Sequence, residues 1–184
     1  MNTNTTESNR LTESNKKSGL FKNTEFLFAT LIIIVTILLS VVSYLRIYDL
    51  NFIVGQYRLS HWFSWFGTFF IAIYSPIYFA LKRKYPRKIR TLLRIHIYGN
   101  LFSFLLISIH FTQQVSRPEA FFPDLSTGLL LFIVMPIMVL TGYFQRFKIV
   151  NAINPHANRY LHISLTLTFY LTILIHILQG ISII

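Results

Sequence analysis

Five apolar runs, each about the 20 residues needed to cross a hydrocarbon core of about 30 Å, leave this chain one kind of fold. They are Phe26 to Leu45, His61 to Leu81, Arg94 to Gln113, Ser126 to Phe144 and Tyr160 to Ile184. In lipid every backbone N–H and C=O must find a partner inside the protein, and a helix does this one run at a time. The expectation is an all-α fold: a polytopic membrane bundle of five transmembrane helices over 26–184, behind a flexible tail over 1–25. That tail is Asn-, Thr-, Ser-, Lys- and Glu-rich and has almost nothing to bury. The first run is too long for a signal-peptide core and lacks a small-residue cleavage site, so it is read as retained. A length of 184 residues would suit one soluble domain. Only 12% of residues are charged, however, against about a quarter in globular chains. Trp62 and Trp65 open the second run, as an interfacial aromatic belt would, and Pro76 and Pro136 lie inside runs that bundle neighbours can support.

The formal net charge is +11. A nucleic-acid partner is a poor explanation, because the basic residues sit in short segments between apolar runs. There they act as topology signals and as contacts to anionic membrane lipids. Lys and Arg number four in the tail, seven in Lys82–Arg94 and three in Gln145–Arg159, making 14 on one side. The other two loops carry two and one, making three. By the positive-inside rule the N-terminus is cytoplasmic and the C-terminus outside, in a multi-pass protein of the cytoplasmic membrane. Runs three and five then lie parallel. The chain has no cysteine, which excludes disulfides, thiolate-held iron–sulfur clusters and c-type haem attachment.

Histidines supply the chemistry. His96 and His110 are 14 residues apart on run three, and His162 and His176 are 14 apart on run five. On a helix that spacing returns to within about 40° of the starting direction and separates the rings by about 21 Å. Parallel helices would therefore pair His96 with His162 near the cytoplasmic surface, and His110 with His176 near the outer one. Two neutral imidazoles from facing helices are a standard axial set for haem b, and two such sites fit within one bilayer. No carboxylate or thiol lies within the runs to complete a zinc or copper site. A single intramembrane histidine is often an interhelical hydrogen bond, and a histidine proton relay is conceivable, but neither calls for the repeated spacing.

On the same faces lie Gly99 and Ser103, and Thr166, Phe169 and Thr172. The small residues would let a porphyrin approach the backbone; equally, they would let helices pack closely. Arg94 and Arg159 precede the two cytoplasmic-side histidines and could pair with haem propionates, although membrane-edge anchoring explains them as well. Arg58 and Arg117 are the comparable residues near the outer site. His61 reads as interfacial, and His156, six residues before His162, is badly spaced for a ligand.

The twofold H-x13-H pattern, opened by RIHIYGN on run three and NRYLHIS on run five, resembles the ferric reductase-like transmembrane domain of metalloreductases and NADPH oxidases. The similarity covers roughly Ser60 to Ile184. It implies bis-histidine haems on the third and fifth helices, with His96 and His162 on one haem and His110 and His176 on the other. That family commonly adds a sixth helix and a cytosolic FAD- and NAD(P)H-binding domain; this chain ends after run five without a dinucleotide fingerprint. The haem-bearing half of cytochrome b is also similar, but places its ligands on the second and fourth helices. The expected function is a di-haem b cytochrome, an electron-transfer subunit of an oxidoreductase conducting across the bilayer. It would work in a hetero-oligomeric complex, with other redox subunits or a quinone pool as partners. The alternatives are a quinol-oxidising or terminal reductase subunit, and a haem-free structural subunit of a membrane complex.

Overall fold

The computed structural model describes the backbone of residues 3–48, 50, 52–118, 120, 125–147 and 154–180, with side chains from residue 24 onward. Five helices carry the fold: α1 (Thr3–Tyr44), α2 (Leu59–Lys84), α3 (Ile89–Val115), α4 (Ser126–Phe147) and α5 (Pro155–Gly180). Each contains a stretch long and apolar enough to cross a membrane. In α1 that stretch is Thr24–Tyr44, and the polar backbone before it, expected as a loose tail, is helical from Thr3. The first linker, expected as plain loop, folds into a small hairpin, β1 (Ile53–Val54) with β2 (Tyr57–Arg58). Gly55 turns it at φ +67°, a left-handed backbone that favours glycine. Asp49, Glu119, Asp124, Lys148 and the last four residues of the fifth run lie outside the described residues.

Local chemistry sets the helix ends. Asn154 Oδ1 accepts the backbone N–H of His156 at 2.9 Å, and Pro155 takes the first helical position, so α5 starts with one orphan donor capped and another removed. Lys82, Arg83 and Lys84 fill the last turn of α2, where cations oppose the negative end of the helix dipole. Pro86 then stops the helix, and a single 3-10 turn, Pro86–Lys88, leads into α3.

α2 packs along α3, α4 along α5, and α1 against α3. Gly67 makes the first seam close: a Cβ there would stand 3.0 Å from the Ser103 carbonyl oxygen and 3.1 Å from Ile107 Cγ1. Ile71, Phe104, Leu131, Val134, Met135, Met138 and Phe169, from α2 to α5, form one buried cluster. Tyr170 OH ties α5 to the Ile71 carbonyl at 2.8 Å.

α1 is fastened at both ends. Gln113, buried on α3, donates to Ser43 Oγ at 2.8 Å. Glu25 receives Arg94 of α3 at 2.6 Å and Arg146 of α4. Large apolar side chains such as Leu31 and Leu38 of α1, and Leu167 and Leu171 of α5, are exposed, as lipid-facing surfaces are.

Candidate histidine sites

The two histidine helices do not run against each other. Among the described residues α3 packs chiefly on α2 and α1, and α5 on α4. All four histidines are half-buried, whereas the layer between them is closed: Met135 is 1% and Phe169 2% exposed. Phe169 lies seven residues from each histidine of α5. His96 and His162 stand within electrostatic reach of each other at one end, and His110 and His176 at the other. Each expected pair thus has its two histidines toward the same end of the bundle, with a packed apolar layer between the ends.

The surroundings of the α5 histidines decide which ring nitrogen each offers. Thr141 Oγ1 lies 3.0 Å from His162 Nδ1 and spends its own proton on the Met138 carbonyl at 2.8 Å. That carbonyl also lies 3.1 Å from Nδ1. A carbonyl accepts only, so Nδ1 carries the proton and Nε2 keeps its lone pair. At the other end Thr127 Oγ1 donates to Gln179 Oε1 at 2.7 Å and stands 2.9 Å from His176 Nδ1, an arrangement that an Nδ1–H donor completes. This is the tautomer a metal-ligating histidine adopts, with its second N–H held by an oxygen.

Sequence reasoning missed the residues that do this. Thr127–Gly128 and Thr141–Gly142 on α4 form a repeat 14 residues apart, matching the histidine spacing of the antiparallel α5. Each glycine faces a ring: a Cβ on Gly142 would stand 3.1 Å from His162 Cε1, and one on Gly128 3.4 Å from His176 Cε1. Met135 lies midway between the two glycines, level with Phe169. The equal spacing is visible in the chain. Its meaning depends on α4 running antiparallel to α5 in matched register.

The α3 histidines are held differently. Tyr78 stacks on His96 with ring centroids 4.5 Å apart, and Asn100 Nδ2 lies 3.3 Å from both ring nitrogens. Asn100 Oδ1 is buried without a partner; turning the amide over would let it accept an imidazole N–H. His110 Nδ1 is also buried and unpartnered, and the His61 ring stands 4.9 Å away, edge to face. His61, expected to be merely interfacial, is thus a neighbour of the site. His156 is exposed at the start of α5.

Other expected site residues take other places. Gly99 and Ser103 lie in the α2–α3 seam: a Cβ on Gly99 would overlap the Phe70 ring, and Ser103 meets Gly67. They serve close helix packing, the second of the two roles open to them. Thr166 turns toward α4, donating to the His162 carbonyl at 2.7 Å and approaching Met138 Sδ. Thr172 is buried. Arg94 is committed to Glu25. Arg159 is exposed, and Lys82, unnoticed in the sequence, stands within electrostatic reach of both it and His96. No cluster of three or more His, Cys, Asp or Glu able to hold a metal ion occurs among the described residues. Two-histidine sites on either side of a flat macrocycle do not require one. Compared with family models, curated proteins and solved structures, the chain finds no match.

Proposed function

We propose that the protein is a membrane cytochrome with two b haems, one between His96 and His162 and one between His110 and His176, carrying electrons between redox partners on the two sides of the bilayer. The observation that carries this reading is the doubled Thr–Gly cradle of α4. It gives both α5 histidines a protonated Nδ1 and a free Nε2, which interhelical hydrogen bonding alone would not need twice at the ligand spacing. Haem so held supplies reversible one-electron chemistry at two depths of the membrane.

The chain's own residues do the rest. Thr127 and Thr141 orient the rings. Gly128 and Gly142 leave the imidazoles room. Phe104, Met135 and Phe169 keep water out of the layer between the sites. Lys82 supplies positive charge beside the His96 site, with Arg159 next to Lys82, in place of the committed Arg94. The distribution of Lys and Arg favours placing the His96 end at the cytoplasmic face of the cytoplasmic membrane. The donor and acceptor would be other redox subunits or the quinone pool, in a hetero-oligomeric complex. Resemblance to the ferric reductase-like transmembrane domain supports the same ligand assignment and adds no substrate.

A reduced-minus-oxidised spectrum with haem stoichiometry tests the reading. Two low-spin b haems per chain are expected, and His162→Ala and His176→Ala should each remove about half of the haem. A colourless preparation, or full haem content in both variants, would leave the histidines as packing contacts and sink the proposal.

A further inference from the structure

The bundle end that carries His110 collects polar atoms without partners. Among the described residues, Ser60 Oγ, His61 Nδ1, His110 Nδ1, Gln114 Nε2, and Arg117 Nε and Nη2 are buried there without a hydrogen-bond partner, the last three being donors only. An unmet polar atom at the edge of a bilayer costs on the order of 1–3 kcal/mol, and more for a guanidinium. So many in one place indicate an occupant.

His110 and Gln114 are spaced i, i+4 on one face of α3, and Arg117 follows just past the helix end, its backbone N–H donating to the Gln114 carbonyl at 3.3 Å. The His61 ring against His110 shows that this face meets the start of α2. Arg58 and Arg117 both lie within electrostatic reach of His61 and of each other. Burial and then Arg58 hold the Arg117 guanidinium below its ordinary range, the sign of a cation lacking its counter-charge. The positive end of the 26-residue α2 opens here too, with Arg58 as an N-cap that makes no side-chain capping bond. Gln114, only 9% exposed, supplies a second, uncharged donor. Glu25, the one carboxylate among the described side chains, is tied up at the opposite end with Arg94 and Arg146.

We infer that this end is an oxyanion site, in which Arg117, Arg58 and Gln114 hold a carboxylate or phosphate group beside His110. Two sources could bring that group: the propionates of a haem ligated by His110, or a free anion from the aqueous phase. The second source does not depend on the haem reading. If the protein proves haem-free, the site still stands or falls by its own measurement.

The test uses the full chain in uncharged detergent, as purified and after haem addition, titrated with inorganic phosphate. Trp62 and Trp65 fluorescence, beside the site, reports binding. Haem-free protein should give a saturable response, about tenfold weaker in Arg117→Gln and largely restored in Arg117→Lys. Gln114→Ala, which keeps both arginines, should weaken it about threefold and guards against a misfolded arginine variant. If haem-loaded protein still binds phosphate, the source is a free anion. If haem abolishes phosphate binding, and Arg117→Gln loosens haem but not haem dimethyl ester, the source is a propionate. Equal phosphate affinity in wild type, Arg117→Gln and Gln114→Ala overturns the site. So does a response seen only in Glu119→Gln/Asp124→Asn, because a carboxylate of the chain itself would then fill it. Absence of any phosphate response, together with equal retention of haem and its dimethyl ester in wild type and Arg117→Gln, overturns it as well.

Discussion

The two ends of the bundle use the same spacing and finish it differently. At the His96 end the protein answers its own charges: Glu25 takes Arg94 and Arg146, and Asn158 donates to the Thr141 carbonyl at 2.9 Å. At the His110 end the buried polar atoms gathered around His61 and Arg117, the Arg117 and Gln114 donors among them, remain unanswered. The first end answers its carboxylate within the fold and leaves only Asn100 Oδ1 and Arg146 Nε buried and unpartnered among the described residues. The second is shaped for something the chain does not supply. Of the two histidine pairs, one therefore lies at the better-partnered end of the bundle and one at the receptive end.

The largest way to break this comparison is Glu25→Gln. It leaves two arginines facing each other at the membrane edge, and Glu25 is only 12% exposed. The loss should be about 2–3 kcal/mol of stability, less than for a fully buried pair because Arg94 is 39% exposed. Thermal unfolding in detergent would read it. Haem at the His96 end should be the first to go, and equal loss at both ends would contradict the asymmetry. Arg94→Gln should cost about 1 kcal/mol or less, since Arg146 still holds Glu25.

A smaller contrast separates the threonines. His176 has only Thr127 as a described oxygen partner for its Nδ1–H, whereas His162 has both Thr141 and the Met138 carbonyl. Thr127→Val should therefore weaken haem retention about tenfold and Thr141→Val about threefold, read as the rate of haem transfer to a scavenging globin. The reverse order would mean that the carbonyl contributes nothing to ring orientation.

The smallest effect concerns the glycines. Gly142→Ala would place a methyl 3.1 Å from His162 and should cost about 1 kcal/mol. Gly128→Ala meets His176 at an ordinary 3.4 Å and should stay within about 0.5 kcal/mol of wild type. Melting temperatures of the two variants, side by side, decide between them.

Much of this architecture is legible in the amino-acid sequence. Five runs of the right length and polarity can only be helices, and a histidine period of 14 is a property of the chain itself. What a helical period cannot tell is which neighbour a face meets. Gly99 and Ser103 share a face with the histidines by counting, yet their side meets α2, through Phe70 and Gly67. Arg94 looks available by sequence, but its partner is Glu25, 69 residues earlier and in the segment expected as a tail. The Thr–Gly repeat reads as ordinary small-residue packing because its function belongs to the seam with α5. Contacts between distant segments are the hidden part; spans and histidine spacing are not.

The Glu25 clamp also bears on how the molecule is made. Its carboxylate is made early, on α1, while its partners come 69 and 121 residues later. Until α4 has been inserted, a carboxylate at the membrane boundary lacks one of its two cations, and such a group is costly to leave there. α1 can lock only when α3 and α4 are both present, whatever the order in which they dock. Of the helices described, α1 precedes both partners yet is satisfied only after them, and its closure marks a chain that has been translated and inserted through α4.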